Sequence, residues 1–196
     1  MRDVSNLPPT VYRKPFTVYR PIMASALKNL SSYDDSSIPA ADEMTFGIVV
    51  AEWNAHITHA LYEGCYDTLL KHGAKPDNIH TVQVPGSFEL PAGARILAGK
   101  HNPDAVICLG CVIKGETNHN EYINNAVANG LVNLSVATGR PFIFGVLTPN
   151  DEQQALDRAG GKHGNKGVEA AVTAIRMAAL KKEGKEGRKK IGFGNE

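Results

Sequence analysis

The chain has 196 residues, 42% apolar and 21% charged, with a formal net charge of +1. That length suffices for one domain with a sizeable core, and the balanced charge gives no electrostatic reason to expect nucleic acid or a membrane surface as partner. No apolar run approaches the roughly 20 residues of a membrane helix, and three cysteines in apolar contexts read as reduced thiols of a cytoplasmic protein, not as a disulfide framework.

Residues 1–44 read as an N-terminal extension, partly flexible. They hold Pro8, Pro9, Pro15, Pro21 and Pro39, and no acidic residue from Val4 to Tyr33. An acid-poor, Arg-containing leader fits an organellar transit peptide, and no secretory apolar region is present. Because "TVYRPIM" lacks an amphipathic pattern, a tag remnant or an upstream start, with Met23 as the natural beginning, is the favoured reading. Residues 45–180 form the expected domain, and residues 181–196, charged and Gly-rich, a flexible tail.

Within the domain the pattern alternates strand and helix. "TFGIVVAEW" is a continuous β-branched run, as expected of a strand buried on both faces. Asn54 is placed to cap a helix carrying Ile57, Leu61, Cys65 and Leu69, stopped by Gly73. "IHTVQVPG" predicts a second strand, and Ser87 opens a helix over "SFELPAGARILAGK". "AVICLGCVI" is the third strand. A long helix follows, with Tyr122, Ile123, Ala126, Val127, Gly130, Leu131 and Leu134 as its apolar stripe. "PFIFGVL" is the fourth strand. Thr148-Pro149 starts a helix over "NDEQQALDRAG", with acidic residues in its first turn. A glycine-rich break, "GGKHGNKG", precedes a last helix bearing Val168, Val172, Ile175 and Ala179. This order predicts an α/β fold, a four-stranded parallel sheet with helices on both faces. Ligands of such sheets bind beyond the carboxyl ends of the strands. That rule selects Ala51–Asn54, Pro85–Glu89, Cys111–Asn120 and Leu147–Asn150.

Each segment has a plain and a functional reading. Cys108 and Cys111 match C-x-x-C, but an odd offset inside a strand points the two thiols to opposite faces, which favours core packing over redox chemistry. His56, His59 and Glu63 have helical spacing suited to a metal, yet without a fourth ligand they read as surface or interface side chains. Trp53, at the end of the first strand, is placed to stack on a planar ligand as well as to fill a core. Gly86, Ser87, Phe88 and Glu89 lie where a strand turns into a helix. Free N–H groups there suit polar edges, and Glu89 can accept hydrogen bonds; plain capping is the competing reading. In "KGETNH", Gly115 permits close backbone approach, Thr117 offers a hydroxyl, and His119 can move protons near neutral pH. "DRAGGKHGNKG" gathers Arg158, Lys162 and Lys166 with four glycines, a composition suited to phosphate. It does not match the Walker A pattern, and no G-x-G-x-x-G follows the first strand.

Taken together, "GIVVAEWNAHIT", "VPGSFELP", "GCVIKGETNHNEY", "RPFIFGVLT" and "DRAGGKHGNKGVEAA" resemble the lumazine synthase family of riboflavin biosynthesis, in order and spacing, from about Phe46 to Leu180. The resemblance implies a flavodoxin-like three-layer α/β/α sandwich. It implies condensation of 5-amino-6-(D-ribitylamino)uracil with 3,4-dihydroxy-2-butanone 4-phosphate to 6,7-dimethyl-8-ribityllumazine, a transferase reaction without metal or organic cofactor. By position, Trp53 matches the aromatic that stacks on the pyrimidine. Ser87, Phe88 and Glu89 match the stretch holding the ribityl chain, with Ser in place of the commoner Ala. Cys111, Val112 and Ile113 match the strand end lining the pyrimidine pocket. Glu116 and Thr117 match the phosphate-side turn, and His119 the proton-transfer histidine. Phe144 matches an aromatic presented by the neighbouring subunit, Arg158 the phosphate-binding arginine, and Lys166 and Lys162 cations near the phosphate. Asn120 departs from the aromatic often found after that histidine.

The resemblance also implies small-molecule substrates, pentamers with active sites between neighbouring subunits, and riboflavin synthase as a possible partner. The compact "GGKHGNKG" turn favours an icosahedral shell of 60 subunits. The competing expectations are a non-catalytic lumazine- or flavin-binding shell protein and a nucleotide-dependent phosphate enzyme; the missing nucleotide fingerprints count against the latter.

Overall fold

The computed structural model describes residue 29 and residues 31–189. The expectations for residues 1–28, Met23 included, and for residues 190–196 lie outside the described residues. Four strands, β1 (Phe46–Ala51), β2 (Ile79–Val84), β3 (Ala105–Cys111) and β4 (Phe142–Leu147), form one sheet in the order β2-β1-β3-β4. Every pairing is parallel. The two central strands, β1 and β3, are buried along their whole length, as their unbroken apolar runs demand. Edge strand β2 alternates between buried ends and more open middle positions.

Helices α1 (Ala55–Lys71) and α5 (Lys166–Lys189) cover one face; α2 (Leu90–His101) and α3 (His119–Thr138) cover the other. The strands feed both cores by alternation. Ile48, Val50, Ile107, Leu109 and Cys111 point to the α1/α5 side, while Val49, Ala51, Val106 and Cys108 point to the α2/α3 side. Cys108 and Cys111 therefore lie on opposite faces, as the odd offset predicts. The sandwich is the three-layer α/β architecture expected.

Four local expectations change. Asn54 occupies the N-cap position of α1 but makes no capping hydrogen bond with its side chain. Ser87 does not open α2: residues Ser87–Glu89 form a 3-10 turn, and the helix proper starts with Leu90 and Pro91, where proline's missing N–H costs nothing. After β4 the short helix α4 (Glu152–Asp157) starts later than Thr148-Pro149, because Asp151 is the cap, its Oδ1 accepting from Gln154 N at 2.8 Å. The glycine-rich break is a small antiparallel hairpin, β5 (Ala159–Gly161) and β6 (Gly164–Asn165), with Gly160 and Gly164 at positive φ.

The two ends also differ from a simple leader and tail. Residues 31–44 lie against α1 and α5. Lys71 Nζ bonds Asp35 at 2.9 Å, Ser31 Oγ accepts from Asn165 N at 2.9 Å, and Ala41 and Met44 are buried. Helix α5 continues past 180 to Lys189, with Lys182 Nζ donating to the Glu43 carbonyl at 2.8 Å. The α3 stripe is narrower than predicted: Val127 and Leu131 are buried, whereas Tyr122 is 74% exposed.

The α1–α5 crossing depends on two glycines. A Cβ at Gly167 falls 1.9 Å from the Leu61 carbonyl oxygen, and one at Gly64 falls 2.6 Å from the Asn165 amide. Asn165 is wedged between the helices: its Nδ2 donates to Ala60 O at 2.8 Å and its Oδ1 accepts from Gly167 N at 2.7 Å. Gly167→Ala must therefore push the helices apart. The expected cost is about 1–3 kcal/mol, the usual range for overpacking, seen as a lower Tm in thermal melts; a Tm equal to that of the wild type contradicts the close approach.

Candidate active site

The carboxyl ends of β1, β2 and β3 open onto a cleft of about 530 Å³, within the size range of small-molecule sites. Its first wall is the turn after β1. Glu52 N donates to Val84 O at 2.8 Å and Trp53 N to Pro85 O at 3.2 Å, tying that turn to the end of β2. Asn54 sits in the left-handed region, φ 59°, and its Nδ2 donates to Cys111 O at 3.0 Å, tying the same turn to β3. Asparagine tolerates this conformation better than most residues. These ties present the Trp53 ring at the cleft, 74% exposed.

The second wall is the 3-10 turn after β2. Phe88 is largely exposed and Ser87 buried. The Glu89 carboxylate folds back over Gly86, with Oε2 3.1 Å from where a Gly86 Cβ would lie. Gly110 of β3 makes room for this turn, since a Cβ there meets Ser87 Oγ at 2.6 Å.

The third wall continues β3. Val112 N donates to Leu147 O at 2.9 Å and Lys114 N to Pro149 O at 3.0 Å, so the ladder to the β4 side runs past the strand proper. Cys111, Val112 and Ile113 line the cleft, and Gly115 and Thr117 turn the chain into α3, which starts at His119. Burial pushes the Cys111 thiol up to about 11 and raises the Cys65 and Cys108 thiols further, so none is a thiolate at neutral pH.

Of the residues singled out in the sequence, Trp53, Ser87, Phe88, Glu89, Cys111, Val112, Ile113, Thr117 and His119 converge on this cleft. Glu116 belongs to the same turn without lining it. Phe144, Arg158, Lys162 and Lys166 do not line it either. Phe144 lies on β4 against the α2/α3 core. The cations cluster at the β5–β6 hairpin: Arg158 Nη1 donates to Gln154 O at 3.2 Å, Lys162 pairs with Asp157 at 2.8 Å, and Lys166 pairs with Glu169 at 2.6 Å. The Lys162 hydrogen bond, helped by Gln153, holds the Asp157 carboxyl below the usual carboxylate range. His56 pairs with Glu152 at 2.8 Å on the exposed surface. A second hollow, about 500 Å³, opens beside edge strand β2 among His59, Tyr62, Glu63 and Gln83. Sequence reasoning gave Asn54 a capping role and missed its tie to Cys111; the signal was an asparagine at a strand-to-helix turn, which suits the left-handed region as well as a cap.

The two contributions of Asn54 are separable. Asn54→Gly keeps the backbone conformation and loses the amide bond, at about 0.5–1.5 kcal/mol. Asn54→Ala adds the left-handed strain and is expected to cost about 1–2 kcal/mol more. Both variants should loosen Trp53, the only tryptophan, read as lower fluorescence anisotropy; unchanged anisotropy in both contradicts the tie.

The sequence model of the 6,7-dimethyl-8-ribityllumazine synthase family matches residues 43–182, from before β1 into α5. The chain is 57% identical over 157 residues to the 6,7-dimethyl-8-ribityllumazine synthase of Cytophaga hutchinsonii, covering 80% of this chain and 98% of that relative. It is 56% identical to that of Parabacteroides distasonis, over 79% of this chain and 97% of the relative. With that of Porphyromonas gingivalis it shares 52% identity over 82% of this chain and 99% of the relative. This chain, with its carboxyl-edge cleft and its separate hairpin of cations, belongs to the 6,7-dimethyl-8-ribityllumazine synthase family.

Proposed function

We propose that the chain condenses 5-amino-6-(D-ribitylamino)uracil with 3,4-dihydroxy-2-butanone 4-phosphate to 6,7-dimethyl-8-ribityllumazine, releasing phosphate and water. The observation that carries this is the convergence of Trp53, Glu89, Thr117 and His119 on one cleft in a chain of this family. The chemistry suits these residues. An aromatic amine attacks a ketone and the carbinolamine loses water to give an imine; loss of a carbon-bound proton and of phosphate leaves an enol that tautomerises to a ketone, and the second nitrogen attacks that ketone and closes the ring with loss of a second water. No protein nucleophile is required, which agrees with the suppressed Cys111 thiol. Trp53 stacks on the pyrimidine, and Ser87, Phe88 and Glu89 hold the ribityl side. Cys111, Val112 and Ile113 shape the floor. Holding both substrates in one cleft supplies much of the rate, and His119 moves protons. The Glu116–Thr117 turn and the start of α3 receive the phosphate, since a helix N-terminus favours an anion.

The site is read as shared between copies. Phe144, Arg158 and Lys166 do not line their own chain's cleft, and in this reading they complete the cleft of a neighbouring subunit. The cations then neutralise phosphate as it departs. The outer side of α3 exposes Tyr122, Val132 and Val136, apolar surface suited to such an interface. The compact hairpin supports assembly of pentamers into an icosahedral shell of 60 subunits. A cytoplasmic location and riboflavin synthase as the partner consuming the product complete the proposal. Among the described residues no helix is long and apolar enough to cross a membrane.

His119→Ala is expected to lower kcat about 10²–10⁴-fold while product binding persists, measured by lumazine absorbance and fluorescence titration. A wild type that binds product but never turns over supports a binding shell protein instead. Co-assembly of inactive His119→Ala and Arg158→Ala chains should recover part of the activity, because some clefts then draw intact halves from both. Electron microscopy and light scattering should find hollow shells; free pentamers alone refute the 60-subunit assembly.

A further inference from the structure

The β5–β6 hairpin sends the N–H of Asn165 away from its own ladder. Asn165 pairs with Ala159, and Lys166 N donates to Arg158 O at 2.8 Å. Ala159 and Asn165 are therefore a non-hydrogen-bonded pair of the antiparallel ladder, whose N–H and C=O groups point away from the partner strand. The acceptor that Asn165 N meets is Ser31 Oγ, at 2.9 Å and 134 residues away in the chain. Ser31 is itself held in place. Its N–H donates to Asn29 Oδ1 at 2.8 Å, and Ser32 N donates to Asn29 O at 3.1 Å, an asparagine turn that fixes the segment. Further along, Tyr33 Oη lies 3.2 Å from His72 Nε2, and Asp35 accepts from Lys71 Nζ at 2.9 Å. The segment is thus tied to the end of α1 on one side and to the hairpin on the other. It lies outside residues 43–182, the stretch that the family's sequence model matches.

What the hairpin carries gives this contact a use. Arg158 and Lys166 flank the Ala159–Asn165 pair, and Lys162 lies between the two strands. The Asn165 side chain bonds Ala60 O and Gly167 N, but the bond to Ser31 is made by the main chain, one residue before Lys166. A shift of that main chain moves Lys166 N and the Arg158 carbonyl bonded to it. A half-buried N–H left without an acceptor invites such a shift, because it must find water or another partner. Cations that meet a phosphate depend on placement at this scale. We infer that Ser31 is a positioning residue: through the main chain of Asn165 it sets the hairpin that carries Arg158, Lys162 and Lys166, and so the phosphate side of a neighbouring subunit's cleft. This rests on the shared site proposed above.

The test uses the full chain, with Ser31→Ala removing the acceptor and Ser31→Thr keeping a hydroxyl. In Ser31→Ala the KM for 3,4-dihydroxy-2-butanone 4-phosphate should rise about 5-fold, the equivalent of one hydrogen bond. The KM for the pyrimidine should stay at the wild-type value, and Ser31→Thr should restore most of the loss. A lower Tm with both KM values unchanged marks a merely structural contact and overturns the inference, as do equal rises in both KM values. Arg158→Ala separates this inference from the reading beneath it. If Arg158→Ala raises the KM for the phosphate substrate and Ser31→Ala does not, the shared site stands and the inference fails. If Arg158→Ala leaves the kinetics with the phosphate substrate unchanged, the shared site fails and the inference with it. If the wild type shows no turnover, the reaction reading fails and calorimetry with inorganic phosphate decides. Ser31→Ala must then weaken phosphate binding about 5-fold; equal affinities, or no binding by the wild type, overturn the inference. If Ser31→Ala does not fold by circular dichroism, Asn29→Ala, which loosens the turn that presents Ser31, carries the same comparisons.

Discussion

A parallel sheet leaves the carbonyls at its carboxyl edge without a strand to pair with, and this site is built from the groups that answer them. Val84 O receives Glu52 N, Pro85 O receives Trp53 N, Cys111 O receives Asn54 Nδ2, and Leu147 O receives Val112 N. Each bond satisfies a main-chain group at this edge, and where the carbonyl is buried, as at Val84, Cys111 and Leu147, leaving it unpaired costs about 1–3 kcal/mol. Each also fixes one segment of the cleft. The turn after β1 is held from two sides, so Trp53 is presented by backbone bonds on either flank and not by a free loop. Stability and site geometry therefore share the same hydrogen bonds, and loosening one loosens the other.

The same burial that builds the walls decides which groups are left to do chemistry. Cys111 borders the cleft at 3% exposure, and desolvation keeps its thiol protonated. Cys108, three residues earlier, faces the opposite core. What remains accessible is the rim: Trp53 and Phe88 as apolar surface, Glu89 as a carboxylate, and Thr117 and His119 beside a helix start. Such a set orients, hydrogen-bonds and transfers protons, which suits a condensation whose nucleophile is carried by the substrate.

Most of this was legible in the sequence because its causes are local. Unbroken apolar runs marked β1 and β3, and the odd offset of Cys108 and Cys111 fixed their faces. Of the four segments that the strand-end rule selected, three line the cleft. What escaped depended on partners distant in sequence. Asn54 has the composition of a cap, and only the arrival of Cys111 O, 57 residues away, gives its amide another use. Ser87 has the look of a helix opener, but Leu90-Pro91 begins a better helix and leaves Ser87 in a 3-10 turn. The hairpin within "GGKHGNKG" was read as a break because strands of two and three residues carry no periodicity. The outward side of Tyr122 was misjudged for the same reason: an apolar stripe has no label saying whether its own chain or another covers it.

In the shared site proposed above, the hairpin is the half held ready by its own chain. Lys162 pairs with Asp157 and Lys166 with Glu169, so both cations rest beside the hairpin that carries them. Asn165 anchors the hairpin between α1 and α5 through Ala60 O and Gly167 N, and the glycines at 64 and 167 let those helices close on it. The hairpin is thus locked to the α1/α5 layer, while the cleft opens among the ends of β1, β2 and β3. Within one chain the hairpin's cations do not line that cleft. If these cations serve phosphate as proposed above, anchoring them away from their own cleft is wasteful for a lone subunit. It is economical for a shared site, because a preorganised hairpin loses little entropy when a neighbour's cleft closes over it.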